Sequence, residues 1–342
     1  MTADTVGGVW TYALELTRAL RPHGVDVVLA TMGARPTGDQ RSEARAAGVE
    51  EFFATDFALE WQPDSRRDVA RAGEWLLEVG AAVEPDVVHL NGYAHAALPW
   101  DAGVVVVAHS CVLSWYEAVR RTAAPSAWRH YADAVQEGLR AADVVVAPTR
   151  AMLEALERWY RFESDRMVVH NGLRPLTPRP KEPFVLAAGR AWDEAKNLAA
   201  VHRAAPRVGW EVRIVGPGSH AGPVSRPELD SLYGRASIFA LPARYEPFGL
   251  AALEAATAGC ALVLGDIGSL REVWGDAAAY VDPEDDAALE QTLARLIDDP
   301  DTRRHLARRA RRRAGRYTRE RMASGYLDVY ARVGARDERA VA

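Results

Sequence analysis

On either side of Leu173-Arg-Pro-Leu-Thr-Pro-Arg-Pro-Lys-Glu-Pro183 the chain alternates short β-rich runs with helical stretches. That alternation confines it to α/β architecture, in which helices cross between parallel strands. Four prolines in those eleven residues make a stiff, extended connector of the kind that joins two domains. A length of 342 residues also exceeds one ordinary core. In the first half, strands are predicted at 25–30, 87–90, 104–109 and 143–147, and helices at 10–20, 68–79, 128–140 and 151–160. In the second, strands are predicted at 184–188, 211–215, 238–241, 261–264 and 279–281, and helices at 197–204, 250–258, 269–273 and 286–297. Residues 317–333 close the pattern as a helix with Tyr326, Val329 and Tyr330 on one stripe.

No apolar run approaches the roughly 20 residues of a membrane span, and no basic stretch followed by an apolar one opens the chain. Cys111 and Cys260 lack metal-like spacing, so a reduced, cytoplasmic protein is expected. Residues 1–170 hold 16 Arg against 24 Asp and Glu, a net −8, whereas the remainder is net +3. The acidic half argues against nucleic acid and against docking of that half on anionic membranes. The run Arg308–Arg316 sits in a helical pattern and reads as a solvated face. Lys181 and Lys196 are the only lysines, which suggests a genome biased toward arginine codons.

Glu246-Pro-Phe-Gly-Leu-Ala-Ala-Leu-Glu254 follows the β-rich segment Ser237–Pro242 and enters an Ala-rich helix near Leu250. A strand, a glycine turn and a helix start make an anion site from free N–H groups and the helix dipole. Seven residues apart, the two carboxylates cannot stack as helical neighbours and can contact different parts of one elongated ligand. Two glutamates alone read more readily as surface residues, one in a loop and one on a solvated helix face. Upstream, Gly189-Arg190-Ala-Trp-Asp-Glu-Ala-Lys196-Asn197 places a basic pair after a predicted strand, where Arg190 can grip a diphosphate bidentately and Lys196 can add a point charge.

The order and spacing of these segments resemble retaining glycosyltransferases of the two-domain GT-B fold, especially glycosyltransferase family 4, over almost the whole chain. The resemblance implies two Rossmann-like domains facing across a cleft: residues 1–172 for the acceptor, 173–318 for a nucleotide sugar, and 319–342 as a helix crossing back to the first domain. It implies a catalytic set of Glu246, His109, Arg190 and Lys196, with Glu246 near the transferred sugar and His109 at a strand end touching it. Donor contacts would come from Gly7, Gly8, Arg190, Lys196, Gly216, Phe248, Gly249, Leu250 and Glu254, the last on the ribose hydroxyls. Phe248 reads equally as core. Asn171 and Gly172 form a hinge turn with or without ligand contact. His89 reads as structural, and Glu272 receives no role because Gly268-Ser-Leu-Arg-Glu272 departs from the family pattern.

Activity would be transfer of a sugar from a UDP, GDP or ADP sugar to a glycan, lipid-linked or small-molecule hydroxyl, with retention and with no cofactor or metal. The alternatives are an epimerase on this fold, or a non-catalytic binding protein. Trp115 and Tyr116 can stack on an acceptor sugar or pack in the core. Two departures stand out. No strand is expected before Gly7-Gly8, although the first βα unit needs one, which suggests a misassigned start. The stretch from Gly218 to Leu229 is short for the family, which implies a compact second domain.

Overall fold

A computed structural model describes residues 1–340, with side chains through Gly334. The chain divides into two compact units. One comprises Met1–Glu117, Thr122–Gly172 and the residues from Arg319 onward; the other comprises Ala118–Arg121 and Leu173–Thr318.

The first unit holds β1 (Thr2–Asp4), β2 (Val27–Met32), β3 (Val49–Ala54), β4 (Val87–Leu90), β5 (Gly103–Val107), β6 (Val144–Ala147) and β7 (Asp165–Val168). Every pairing is parallel, in the orders β1-β2-β3 and β4-β5-β6-β7. The Asn91 side chain donates to the Thr2 carbonyl at 2.6 Å, and β1 lies beside β4. The order therefore reads 3-2-1-4-5-6-7, whose switch point falls between β1 and β4. Central strands Gly-Val-Val-Val-Val and Val-Val-Val-Ala are buried throughout, as parallel strands covered by helices must be.

The expected absence of a first strand is corrected here. Thr2–Asp4 pairs in register with Ala30–Met32, and Ala30 N–H reaches the Met1 carbonyl at 2.9 Å. Thr-Ala-Asp has no apolar run, so periodicity cannot reveal it. Its anchors are distant backbone partners and Asn91. Also unforeseen were the helix Gly38–Ala47 and strands β3 and β7, none of which is buried along its whole length.

The helix Arg319–Ala340 packs on the Gly8–Leu20 helix and on β5. Met322, Ala323, Tyr326, Val329 and Val333 join the core of the first unit. A Cβ on Gly103 would stand 1.9 Å from Val333 Cγ1, so the bare backbone of β5 admits that side chain. Tyr317, read with this helix from sequence, instead packs in the second unit and donates to Val273 O at 2.8 Å. Buried His89 sits between Tyr12 (3.2 Å) and Tyr330 (2.8 Å), consistent with a structural role.

The second unit holds β8 (Glu182–Ala188), β9 (Glu211–Val215), β10 (Ala236–Leu241), β11 (Ala261–Gly265) and β12 (Ala279–Val281), all parallel in the order β12-β11-β10-β8-β9. Counted within the unit this is 2-1-3-4-5, with its switch point between β8 and β10. Among the described residues no helix is long and apolar enough to cross a membrane.

Candidate active site

At the carboxyl end of β8 the chain passes through Gly189, whose N–H reaches Val215 O at 3.0 Å, while Ala191 N–H reaches Pro217 O at 2.9 Å. The loops after β8 and β9 thus run backbone against backbone. Asp193 organises the next turn, accepting from Arg190 Nη2 at 2.7 Å and from Ala195 N–H at 3.1 Å. The Arg190 guanidinium also lies 5.2 Å from the ring of Trp192, which is 63% exposed.

Asn197 closes the loop in left-handed conformation (φ 54°) at the start of the helix Leu198–Ala204. Buried, it donates through Nδ2 to Pro242 O at 3.0 Å and Pro283 O at 2.7 Å, tying the loop to the ends of β10 and β12. Asn197→Ala is expected to lower unfolding free energy by about 2–4 kcal/mol, because two carbonyls lose a donor and alanine tolerates positive φ poorly. Asn197→Gly relieves only the backbone part. Urea unfolding of both variants checks this; a loss below about 1 kcal/mol in the alanine variant contradicts it.

Lys196 then projects onto the turn after β10, and its Nζ donates to Glu246 Oε2 at 2.5 Å. Glu246 Oε1 accepts from Gly249 N–H at 3.1 Å, and the Glu246 carbonyl accepts from Ser269 Oγ at 2.5 Å. Gly249 takes φ 93° as the residue before the helix Leu250–Thr257. The structure therefore brings Lys196, Glu246 and Gly249 into one connected group at the switch point. Leu250 opens the helix, whose first N–H groups head the same turn. The Phe248 side chain is core, edge-on to Tyr317 at 5.5 Å, which leaves only its backbone for a ligand.

Glu254 is buried on that helix, paired with Arg226 Nη1 at 2.5 Å; Arg226 Nε also meets Asp230 at 2.8 Å. Burial raises the Glu254 pKa, and Arg226 and the Tyr233 hydroxyl oppose that rise. Arg226 escaped the sequence reading, which treated residues 218–229 only as a shortened stretch. Its signal was Ser225-Arg-Pro-Glu228, a helix-start pattern: Ser225 caps the helix Arg226–Arg235.

The other expected residues, Gly7, Gly8, His109, Asn171 and Gly172, lie in the first unit with Trp115 and Tyr116. Gly7 (φ 92°) and Gly8 lead from β1 into the Gly8–Leu20 helix and are exposed. His109 lies two residues past β5, with Nε2 2.7 Å from Asn91 Oδ1 and its ring 4.6 Å from that of Tyr12. Because Asn91 Nδ2 donates to Thr2 O, Oδ1 is the acceptor and His109 Nε2 carries the proton. Nδ1 is then left as an acceptor. Asn171 is buried, and Gly172 N–H contacts Met322 Sδ at 3.3 Å. Trp115 and Tyr116 pack edge to face at 5.2 Å, and Tyr116 accepts from Trp128 Nε1. Among the described residues no cluster of three or more His, Cys, Asp or Glu is placed to hold a metal.

Burial pushes the His109 pKa down to about 3, against an ordinary value near 6.5. The folded state thus binds fewer protons between those values. Its stability contribution is complete above about pH 6.5 and is lost as pH falls toward 3. His89, also pushed down by burial, acts in the same direction. Unfolding free energy is expected to be lower near pH 4.5 than near pH 7.5, and His109→Gln to flatten part of that difference. An equal change in unfolding free energy between the two pH values in both proteins, measured by urea unfolding, contradicts the assignment.

Two parallel α/β units, each with a side-chain group at its switch point, fit the GT-B class of transferases. Comparison with known proteins agrees. The family model described as "Glycosyltransferase Family 4" matches residues 6–175, and "Glycosyl transferases group 1" matches residues 218–313. The glycogen synthase of Mycobacterium tuberculosis is 28% identical over 364 residues, covering 90% of this chain and 86% of that one. The D-inositol 3-phosphate glycosyltransferase of Xylanimonas cellulosilytica is 28% identical over 397 residues, covering 96% and 93%. The fold of sucrose-phosphate synthase from Thermosynechococcus elongatus superposes with a TM-score of 0.80 at 19% identity, covering 97% and 95%. The chain belongs to glycosyltransferase family 4, and it is a glycosyltransferase.

Proposed function

We propose that this enzyme takes a sugar from a nucleotide-diphosphate donor, with retention at the anomeric carbon and without a metal ion, and passes it to an acceptor hydroxyl. The observation that carries the reading is the connected group Lys196–Glu246–Gly249 at the switch point of the second unit. A lysine ammonium has three donors. One is on Glu246, which leaves two for the oxygens of a leaving diphosphate. Arg190 swings from Asp193 to add a planar fork. These two cations supply the positive charge that a divalent ion supplies in other transferases.

Glu254 accepts from the ribose hydroxyls, and Glu246 from a hydroxyl of the transferred sugar. Retention follows from attack on the face the phosphate leaves, the departing phosphate taking the acceptor proton. His109, neutral with Nδ1 as acceptor, receives a sugar hydroxyl rather than donating a proton. The first unit takes the acceptor, whether glycan, lipid-linked or small molecule. The reading as a non-catalytic scaffold with an incomplete first domain loses its support, because β1 is in place.

Thermal-shift measurements with UDP, GDP and ADP test the donor site. One nucleotide is expected to stabilise the protein, and Lys196→Ala to abolish the shift. No shift with any of the three in folded protein overturns the reading. Glu254→Gln is expected to raise donor KM about 10- to 100-fold, the worth of hydrogen bonds to a charged acceptor, with a smaller change in kcat. Steady-state kinetics with varied donor checks it, and an unchanged KM removes Glu254 from the ribose.

A further inference from the structure

Residues 303–316 hold eight arginines and no Asp or Glu. Four of them serve the fold. Arg303 donates to Leu296 O and Ile297 O and covers Trp210; Arg313 donates to Glu272 O and Val273 O. Arg304 pairs with Asp301 and Arg309 with Asp276. The other four, Arg308, Arg311, Arg312 and Arg316, are exposed, and no described carboxylate lies within ion-pair reach of them.

Elsewhere in the second unit arginines meet carboxylates: Arg203 with Asp286, Arg207 with Glu290, Arg235 with Glu182, Arg244 with Glu284, Arg271 with Asp266. Spacings of three and four put Arg308, Arg311 and Arg312 on one face of the helix Pro300–Ala314. Gly315 keeps helical backbone (φ −61°, ψ −8°) and carries the stripe on to Arg316. Like charges at these spacings repel, so a face needed only for solubility would be interleaved with glutamates. From Arg308 to Arg316 the stripe runs about 12 Å. Burial lowers the Lys181 pKa, and the charge of Arg311 adds a smaller push in the same direction.

We propose that this stripe docks the second unit on an anionic lipid headgroup layer. A layer of phosphates offers a partner to every guanidinium at once, whatever the spacing along the helix. Nucleic acid recognition commonly adds stacking or groove contacts, and the exposed residues of this face, Arg304, His305, Arg308, Arg311, Arg312, Gly315 and Arg316, include no tryptophan, tyrosine or phenylalanine. With no apolar side chain among them either, adsorption is superficial, electrostatic and reversible by salt.

The test is co-sedimentation of the full chain with vesicles of phosphatidylglycerol and phosphatidylcholine in equal parts, against phosphatidylcholine alone. Binding to the mixed vesicles at low salt is expected, with none to the neutral ones and release at about 0.5 M salt. The variant carrying Arg308→Gln, Arg311→Gln, Arg312→Gln and Arg316→Gln is expected to partition at least about tenfold less. Its urea unfolding midpoint shows whether it remains folded. Absence of binding at low salt, or equal binding by the folded variant, overturns the proposal. So does a short RNA duplex bound in place of the vesicles, or salt-reversible self-association that sediments the protein without lipid.

Discussion

Replacing Lys196 with alanine is expected to lower kcat by roughly 100- to 1,000-fold, about 2.7–4 kcal/mol, the usual loss when one donor to a developing charge is removed. The side chain is 23% exposed, so water screens the charge only in part. Its ammonium already rests on Glu246 and needs little reorganisation to meet phosphate oxygens. In the proposed reaction charge on those oxygens grows as the sugar departs, so the loss falls on kcat more than on donor KM. Lys196→Arg is expected to recover only part of the rate, because a planar fork does not reproduce a point charge. Single-turnover rates at saturating donor make the comparison. A loss below tenfold in the alanine variant removes Lys196 from transition-state stabilisation.

Gly216→Ala is expected to cost about 4 kcal/mol of stability and to abolish nucleotide binding. At φ 127° the residue occupies backbone space that side chains rarely enter, and a Cβ would stand 2.1 Å from Gly189 O. That obstacle is backbone, not the end of a flexible side chain, so the loops after β8 and β9 must part. Arg190 lies on one of them, one residue from the collision. Urea unfolding and nucleotide thermal shift measured together decide the point. A folded variant that still binds nucleotide shows the contact to be incidental.

Much of this was legible before any coordinates. The strands at 238–241 and 261–264 stood out because buried parallel strands leave short β-rich runs between turns. Lys196 and Glu246 were named from their motifs, and the structure links them at 2.5 Å. What stayed hidden depends on contacts distant in sequence. β1 is three residues, held by partners near residues 30 and 91. Arg226 reads as one exposed-helix arginine among many until folding sets it on Glu254, 28 residues on. Asp193 and Asn197 lay inside a motif already quoted, yet nothing local showed that one fixes Arg190 and the other ties the loop to Pro242 and Pro283.

The helix that begins at Arg319 has a consequence for biosynthesis. The core of the first unit is assembled from residues 1–172 and from Met322, Tyr326, Val329 and Val333. A ribosome adding roughly 5–20 residues per second takes about 8–30 s to pass from the connector to the end of that helix. Throughout that interval the second unit can be completed, while the face of β5 that receives Val333 is still uncovered. The half made first is thus finished last, and a chaperone that shelters nascent apolar surface has its longest task at the β5 face.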